Sequence, residues 1–183
     1  MLNSAKLSRS LGVTSPTVNK YLEILEGSFL IRRLPPYYAN IGKRLTRSPK
    51  VYIRDSGLLH FLHRINDEEQ LRGNPAVGNS WEGYVIEQII REAPEFSDFY
   101  FYRTQQGTEV DLLMITASGK KVFFEIKFSI SPKISKGYYL AIQDLNPDYR
   151  FVVTPGGETY EKEGGIKVIS LPELLENILS KLV

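Results

Sequence analysis

The chain has 183 residues, of which 42% are apolar and 24% charged, the composition of a folded globular protein with room for one ordinary domain or two small ones. It has no cysteine, which excludes disulfides, thiol catalysis and thiolate zinc sites, and only two histidines, His60 and His63, which leave little for a histidine triad. No apolar run approaches the roughly 20 residues of a membrane span, and the opening MLNSAKLSRS lacks the apolar stretch of a signal peptide, so the expectation is a cytoplasmic chain without membrane contact.

The net charge of +2 divides unevenly. Residues 1–56 hold 10 Lys and Arg against 3 Asp and Glu, and residues 57–183 hold 13 against 18. A basic N-terminal third is either an electrostatic footprint for nucleic acid or a solvated basic face. Within it, SAKLSRSL reads as a short helix ended by Gly12. Val13-Thr14-Ser15 form a turn, Ser15 is the expected cap of the next helix, and Pro16 sits where its missing N–H costs nothing. That helix carries Val18, Leu22 and Leu25 as its apolar stripe, with Tyr21 beside them, and Gly27 marks its stop. FLIRRLPPYY and KVYIR follow as strands around the basic loop IGKRLTRSPK.

Helix, turn, helix and a basic-tipped hairpin resemble a winged helix, carried by LSRSLGVTSPTVNKYLEILE. The resemblance makes residues 16–26 a recognition helix with Thr17, Asn19, Lys20 and Glu23 exposed. It places Arg32, Arg33, Lys43, Arg44 and Arg47 on or near the wing, where Thr17, Asn19, Lys20 and these basic side chains would contact nucleic acid. Winged helices also serve as protein-interaction modules, and Glu23 and Glu26 would repel phosphate.

Asp55-Ser56-Gly57 leads into an apolar helix over LLHFLHRI. His60 and His63 share a face without a third ligand at matching spacing, which makes them core or surface residues rather than a metal site. Residues 66–79, rich in Gly, Pro and Asn, read as a linker or ordered loop between a winged-helix-like domain with its following helix (1–65) and a second domain (80–183).

In the second domain, Asn79-Ser80 are expected to cap a helix over WEGYVIEQIIRE, with Trp81, Val85 and Ile89 as its stripe and Ile86 and Ile90 widening it. Glu82 lies on the apolar side. It either closes a capping box with Asn79 or is a buried carboxylate that needs a partner or a metal. DFYFYRT, TEVDLLMIT and KKVFFEIKFS read as strands. If the turn Ala117-Ser118-Gly119 is centred on Ser118, paired residue numbers sum to 236, and Asp111 stands opposite Glu125. Glu109 and Lys127 share their face. The other face, with Val110, Leu112, Met114, Val122, Phe124, Ile126 and Phe128, is core. Two carboxylates opposed across a strand pair are destabilising unless a cation lies between them. With a backbone carbonyl such as that of Ile126 they suit Mg²⁺ or Mn²⁺, with Glu82 completing the shell and Lys127 beside the scissile phosphate. A helix over KISKGYYLAIQDL, strands over DYRFVVT and IKVIS, and an amphipathic helix over LPELLENILSKL complete the order α-β-β-β-α-β-β-α.

Val110-Asp111 and, 14 residues on, Glu125-Ile126-Lys127 resemble the PD-(D/E)xK nuclease motif, with Val110 in place of the usual proline. This implies an α/β (α+β) fold: an N-terminal winged-helix-like segment and a restriction-endonuclease-like αβββαβ domain with a mixed sheet. The catalytic set would be Glu82, Asp111, Glu125 and Lys127, with Asp111, Glu125 and Glu82 on the metal. Across LGVTSPTVNKYLEILEGSFLIRRLPPY, KVYIRDSGLLHFL, GNSWEGYVIEQI, GTEVDLLM and FFEIKFSISPKISKGYY, the chain resembles the C-terminal region of bacterial and archaeal AAA+-type ATPases. That resemblance implies an ATPase module upstream. The chain itself has no G-x-x-x-x-G-K-[ST] loop, so no ATP site is expected in it. The expected function is a nucleic-acid-processing module with a Mg²⁺- or Mn²⁺-dependent phosphodiesterase site, DNA being the favoured partner. The alternative is a non-catalytic DNA-binding or assembly module. Oligomerisation is left open.

Overall fold

The structure, a computed structural model, describes residues 3–38 and 45–182. Lys43 and Arg44 lie outside the described residues.

Local chemistry sets the first elements. Asn3 caps α1 (Ser4–Leu11), and Gly12 ends it in the left-handed region at φ 65°. Helix α2 (Ser15–Gly27) starts one residue earlier than expected. Its cap is Thr14, whose Oγ1 accepts from the Thr17 N–H at 3.3 Å. Strands β1 (Ile31–Leu34) and β2 (Lys50–Ile53) pair antiparallel, with Leu34 opposite Lys50. Val18, Leu22 and Ile31 form a small core under them. Leu25 and Tyr21 stay exposed, so the buried stripe of α2 is narrower than its sequence suggests.

Asp55 caps α3 (Ser56–Leu62), accepting from Leu58 N–H at 2.6 Å. Residues 66–79, read as a linker or ordered loop, contain helical structure. They hold α4 (Glu68–Gly73) and the first residues of α5 (Val77–Glu92). The expected Asn79-Ser80 cap is corrected for a local reason. Asn74 Oδ1 accepts from the Ala76 N–H at 2.9 Å, so the turn forms upstream and both residues fall inside the helix. Ser80 is buried, its Oγ 2.7 Å from His60 Nε2.

Strands β3 (Asp98–Arg103), β4 (Glu109–Ile115) and β5 (Lys121–Ile126) form an antiparallel meander. Helix α6 (Lys136–Leu145) crosses over to β6 (Tyr149–Thr154), which lies parallel to β5. A short strand absent from the sequence reading, β7 (Tyr160–Lys162), borders β8 (Ile166–Ser170). The six-stranded mixed sheet runs β3-β4-β5-β6-β8-β7. The β4–β5 register pairs Leu112 with Phe124 and Met114 with Val122, the expected sum of 236.

Both faces of this sheet are buried, where one was expected to be core. Val85, Ile86 and Ile89 of α5 cover one face together with the C-terminal leucines. Tyr138, Ala141 and Leu145 of α6 cover the other, over Leu113, Phe123 and Val152. Each Val, Leu, Ile or Phe side chain among these contributes about 1.5–3 kcal/mol on burial. Strands covered twice read as near-continuous apolar runs, as in LLM and VFF. The closing segment is helical but not one regular helix: α7 (Leu171–Glu173) widens into a π-helical stretch, Leu174–Ile178, and then a 3₁₀ turn, Leu179–Lys181.

The N-terminal third is stitched to this sheet. The Tyr37 N–H donates to Phe101 O at 2.7 Å, the Phe101 N–H to Pro35 O at 3.0 Å, and the Thr46 N–H to Arg103 O at 3.0 Å. These bonds cover the β3 edge. Among the described residues no helix is long and apolar enough to cross a membrane.

Candidate functional site

The hairpin between β4 and β5 brings the motif residues together. Ladder pairing of the two strands ends at Leu112–Phe124. One residue further on, Asp111 turns its carboxylate to the orphaned backbone of β5: Oδ2 accepts from the Ile126 N–H at 2.9 Å. Glu125 is buried, its side chain 3% exposed, and its Oε1 lies 2.8 Å from Lys127 Nζ. That contact is an ion pair rather than a directed hydrogen bond, for Oε1 has no hydrogen-bond partner of acceptable angle. The Lys127 N–H continues the ladder to Val153 O, which fixes its backbone beside the cluster.

Glu82 reaches the same place from α5. Its position inside the helix removes the capping-box alternative. Its Oε1 accepts from Lys50 Nζ at 2.9 Å and from the Tyr52 hydroxyl at 2.5 Å. Lys50 also lies 3.2 Å from Glu109 Oε1 and 3.5 Å from Asp111 Oδ1, with its ammonium 5.6 Å from the centre of the Phe101 ring. One buried ammonium from β2 therefore stands among three carboxylates from α5 and β4. Arg103 approaches Glu109 from outside, at 3.5 Å. A cleft of about 460 Å³ opens here, lined by Lys50, Tyr52, Glu82, Arg103 and Glu109 among others.

Electrostatics follow from this crowding. Asp111 has its pKa pushed up to about 7, first by burial and then by Glu82 and Glu125, while Lys50 and the Ile126 N–H oppose the shift. Burial alone would lower the pKa of Lys50, but its attraction to Glu82, Asp111 and Glu109 overrides that, and the net direction is upward. Burial, followed by the charge of Glu82, raises Tyr52. Lys127 rises because Glu125 outweighs the effect of burial. Tyr138, beneath the cluster, is raised by burial and then by Glu125 and Asp111.

Metal chemistry can be tested against this geometry. Mg²⁺ and Mn²⁺ hold oxygens at about 2.0–2.2 Å. The three carboxylates instead surround a point already taken by Lys50 Nζ, at 2.9 to 3.5 Å. Among the described residues no group of three His, Cys, Asp or Glu side chains could hold a metal ion as arranged. The cation anticipated between opposed carboxylates is present, but it is a lysine. Sequence reading missed Lys50 and Tyr52 because they lie 61 and 59 positions before Asp111. The available signal was an isolated lysine opening the apolar strand KVYI, which was grouped with the basic loop instead.

The residues expected to meet nucleic acid divide into engaged and exposed. Arg32 pairs with Glu87, donating from Nη2 to Oε2 at 3.1 Å and from Nε to Oε1. Arg33 pairs with Glu26, which also accepts the Arg33 backbone N–H at 3.2 Å. Asn19 Oδ1 accepts from the Ser4 hydroxyl at 3.0 Å, and Thr17 Oγ1 lies 2.9 Å from Thr14 Oγ1. Lys20 and Arg47 are exposed.

A family profile described as "Domain of unknown function (DUF8612)" matches residues 1–69, and one described as "Domain of unknown function (DUF4143)" matches residues 77–174. Two curated relatives, "Uncharacterized protein Mb2031c" of Mycobacterium bovis and "Uncharacterized protein Rv2008c" of Mycobacterium tuberculosis, are each 40% identical over 176 residues. The match takes in 96% of this chain and 39% of each relative, so the chain spans about two fifths of the length of the relatives it matches. No solved structure matches.

Proposed function

The chain belongs to the DUF4143 family, whose profile covers more than half of it, and from that membership we propose that it is the nucleic-acid-directed end of a longer ATPase, binding through a winged-helix segment and a restriction-endonuclease-like core that does not cut in its present arrangement. The observation that carries this reading is the succession α5-β3-β4-β5-α6-β6, with Asp111 accepting from the Ile126 N–H and Glu125 paired with Lys127 where β4 parts from β5. This succession and this grouping of residues support the reading of a PD-(D/E)xK-type core. The succession α1-α2-β1-β2, with the hairpin packed under α2, supports the winged-helix assignment. The remaining three fifths of the relatives' length is where an ATPase core would lie.

In this reading the chain's residues bind and orient. Lys20 and Arg47 neutralise phosphates. Lys127, half-held by Glu125, offers its charge to a phosphate entering beside β5. Lys50 offsets part of the charge of the carboxylates that would otherwise repel the backbone of the nucleic acid more strongly. The expected Mg²⁺ or Mn²⁺ does not fit the acidic group while Lys50 fills it, so no cleavage step is assigned to a metal.

The test combines binding and cleavage. Labelled duplex and single-stranded DNA titrated with the chain should show saturable binding that weakens with salt. Supercoiled plasmid should stay intact with either metal. Absence of binding to both DNA forms sinks the proposal. A second reading, a metal-dependent phosphodiesterase, is favoured by one observation: the buried Glu125 Oε1 without a directed hydrogen bond. Metal-dependent nicking that Asp111→Ala abolishes would select it.

A further inference from the structure

We infer that Lys50 permanently takes the place of a divalent metal in this domain, so that the acidic cluster is metal-independent and becomes a metal site only when the Lys50 charge is removed. The inference deepens the reading of Asp111 and Glu125 as a nuclease-type centre and rests on it.

Three observations carry it. First, the ammonium is central rather than peripheral. It lies within 3.5 Å of carboxylates from two separate elements: Glu82 on α5, and Glu109 and Asp111 on β4. A lysine serving only to tie β2 to α5 needs one of these contacts, not three. Second, Lys50 is held there. It is 8% exposed, its ammonium faces the Phe101 ring, and its cross-strand neighbour Leu34 is 1% exposed within the main core. The hairpin cannot lift Lys50 away without drawing Leu34 out of that core. Third, one positive charge faces three carboxylates, and Arg103 helps only Glu109, from a half-exposed position. The surplus negative charge favours a divalent ion over an ammonium once the position is vacant. With Lys50 in place, a metal would have to displace a buried cation that its partners hold in the charged form.

The experiment titrates the whole chain with Mn²⁺ and reads free metal by electron paramagnetic resonance, independently of DNA. Wild-type protein should leave the free Mn²⁺ signal unchanged into the millimolar range. Lys50→Met keeps the apolar stem and deletes the charge. It should gain one Mn²⁺ per chain, bound at least about tenfold more tightly than any wild-type binding, with a thermal midpoint that climbs with Mn²⁺ as ligand linkage requires. Lys50→Arg keeps the charge and should remain blind to the metal. If Lys50→Met is unfolded without metal, Mn²⁺ should restore its circular dichroism spectrum, and a variant that stays unfolded in Mn²⁺ overturns the inference. So does wild-type protein that binds one Mn²⁺ as tightly as Lys50→Met, or a folded Lys50→Met that binds none. Failure to bind DNA, measured separately in EDTA, would remove the nucleic-acid reading and leave the Mn²⁺ result standing.

Discussion

Asp111 is the residue at which competing demands meet. Its Oδ2 satisfies a backbone N–H that the β4–β5 ladder leaves unpaired, while Oδ1 faces Lys50. Glu82 and Glu125 lie close enough to raise its pKa further above the value that burial sets, and Lys50 only partly compensates. With a folded-state pKa of about 7 and an ordinary carboxylate value near 4 when unfolded, the protonated group contributes stability that is fully present below about pH 4. That contribution is lost as pH rises through 7. Asp111→Asn cannot ionise. The thermal midpoint of wild-type protein relative to this variant should therefore fall by a few degrees between pH 5 and pH 8. A difference that stays flat over that range sinks the assignment. Tyr52→Phe tests the neighbouring contact. It removes the hydroxyl that donates to Glu82 and should cost about 1–2 kcal/mol in urea denaturation. The β4–β5 register, from Ile115–Lys121 to Leu112–Phe124, was legible in the hairpin arithmetic, because a strand pair has period two and one turn fixes its register. The lysine that faces Asp111 was not legible, because no local period links β2 to β4.

At the scale of elements, two close approaches fix how the site is assembled. Gly83 of α5 lies under the Tyr52 ring: an added Cβ would stand 3.2 Å from Tyr52 Cδ1. Gly137, in the first turn of α6, lies against the β3–β4 connection, where a Cβ would come within 2.5 Å of Gly107 O and 3.2 Å of Glu109 N. The first obstacle is a side chain that can shift by a few tenths of an ångström, and alanine brings about 1 kcal/mol of helix propensity in return. The second is backbone. Gly83→Ala should therefore leave the thermal midpoint within about two degrees of wild type, while Gly137→Ala should destabilise by about 1–3 kcal/mol. Equal effects of the two would refute the distinction. Elements with a side-chain cap at their start, such as α1 and α2, were legible nearly to their ends. The start of α5 was not, because Asn74 organises it from outside the helix. Nor was the closing helix: Leu174 and Leu179 are both fully buried, but the backbone between them widens into a π-turn, which amphipathic spacing does not reveal.

Over the whole molecule the charge asymmetry has a double meaning. The basic N-terminal third suggested a nucleic-acid footprint, yet several of its cations turn inward onto the acidic remainder. Arg32 and Arg54 both grip Glu87 of α5, and Lys50 enters the acidic cluster. Part of the imbalance is thus electrostatic adhesion between the hairpin and the sheet domain. The exposed cations Lys20 and Arg47 are left as candidates for phosphate contact among the described residues named in the winged-helix reading. Salt dependence separates the two uses of charge, because a cation that neutralises a phosphate releases a counterion and one paired inside the protein does not. Lys20→Ala and Arg47→Ala should each lower DNA affinity and flatten the slope of log K against log salt by about one, with thermal midpoints unchanged. Arg32→Ala should do the reverse. It strips one of two partners from Glu87, whose side chain is 11% exposed, and lowers the thermal midpoint while the salt slope stays that of wild type. Fluorescence anisotropy at four salt concentrations measures the slope. A loss of slope in Arg32→Ala as large as that in Lys20→Ala would assign Arg32 to phosphate contact and leave Glu87 to Arg54.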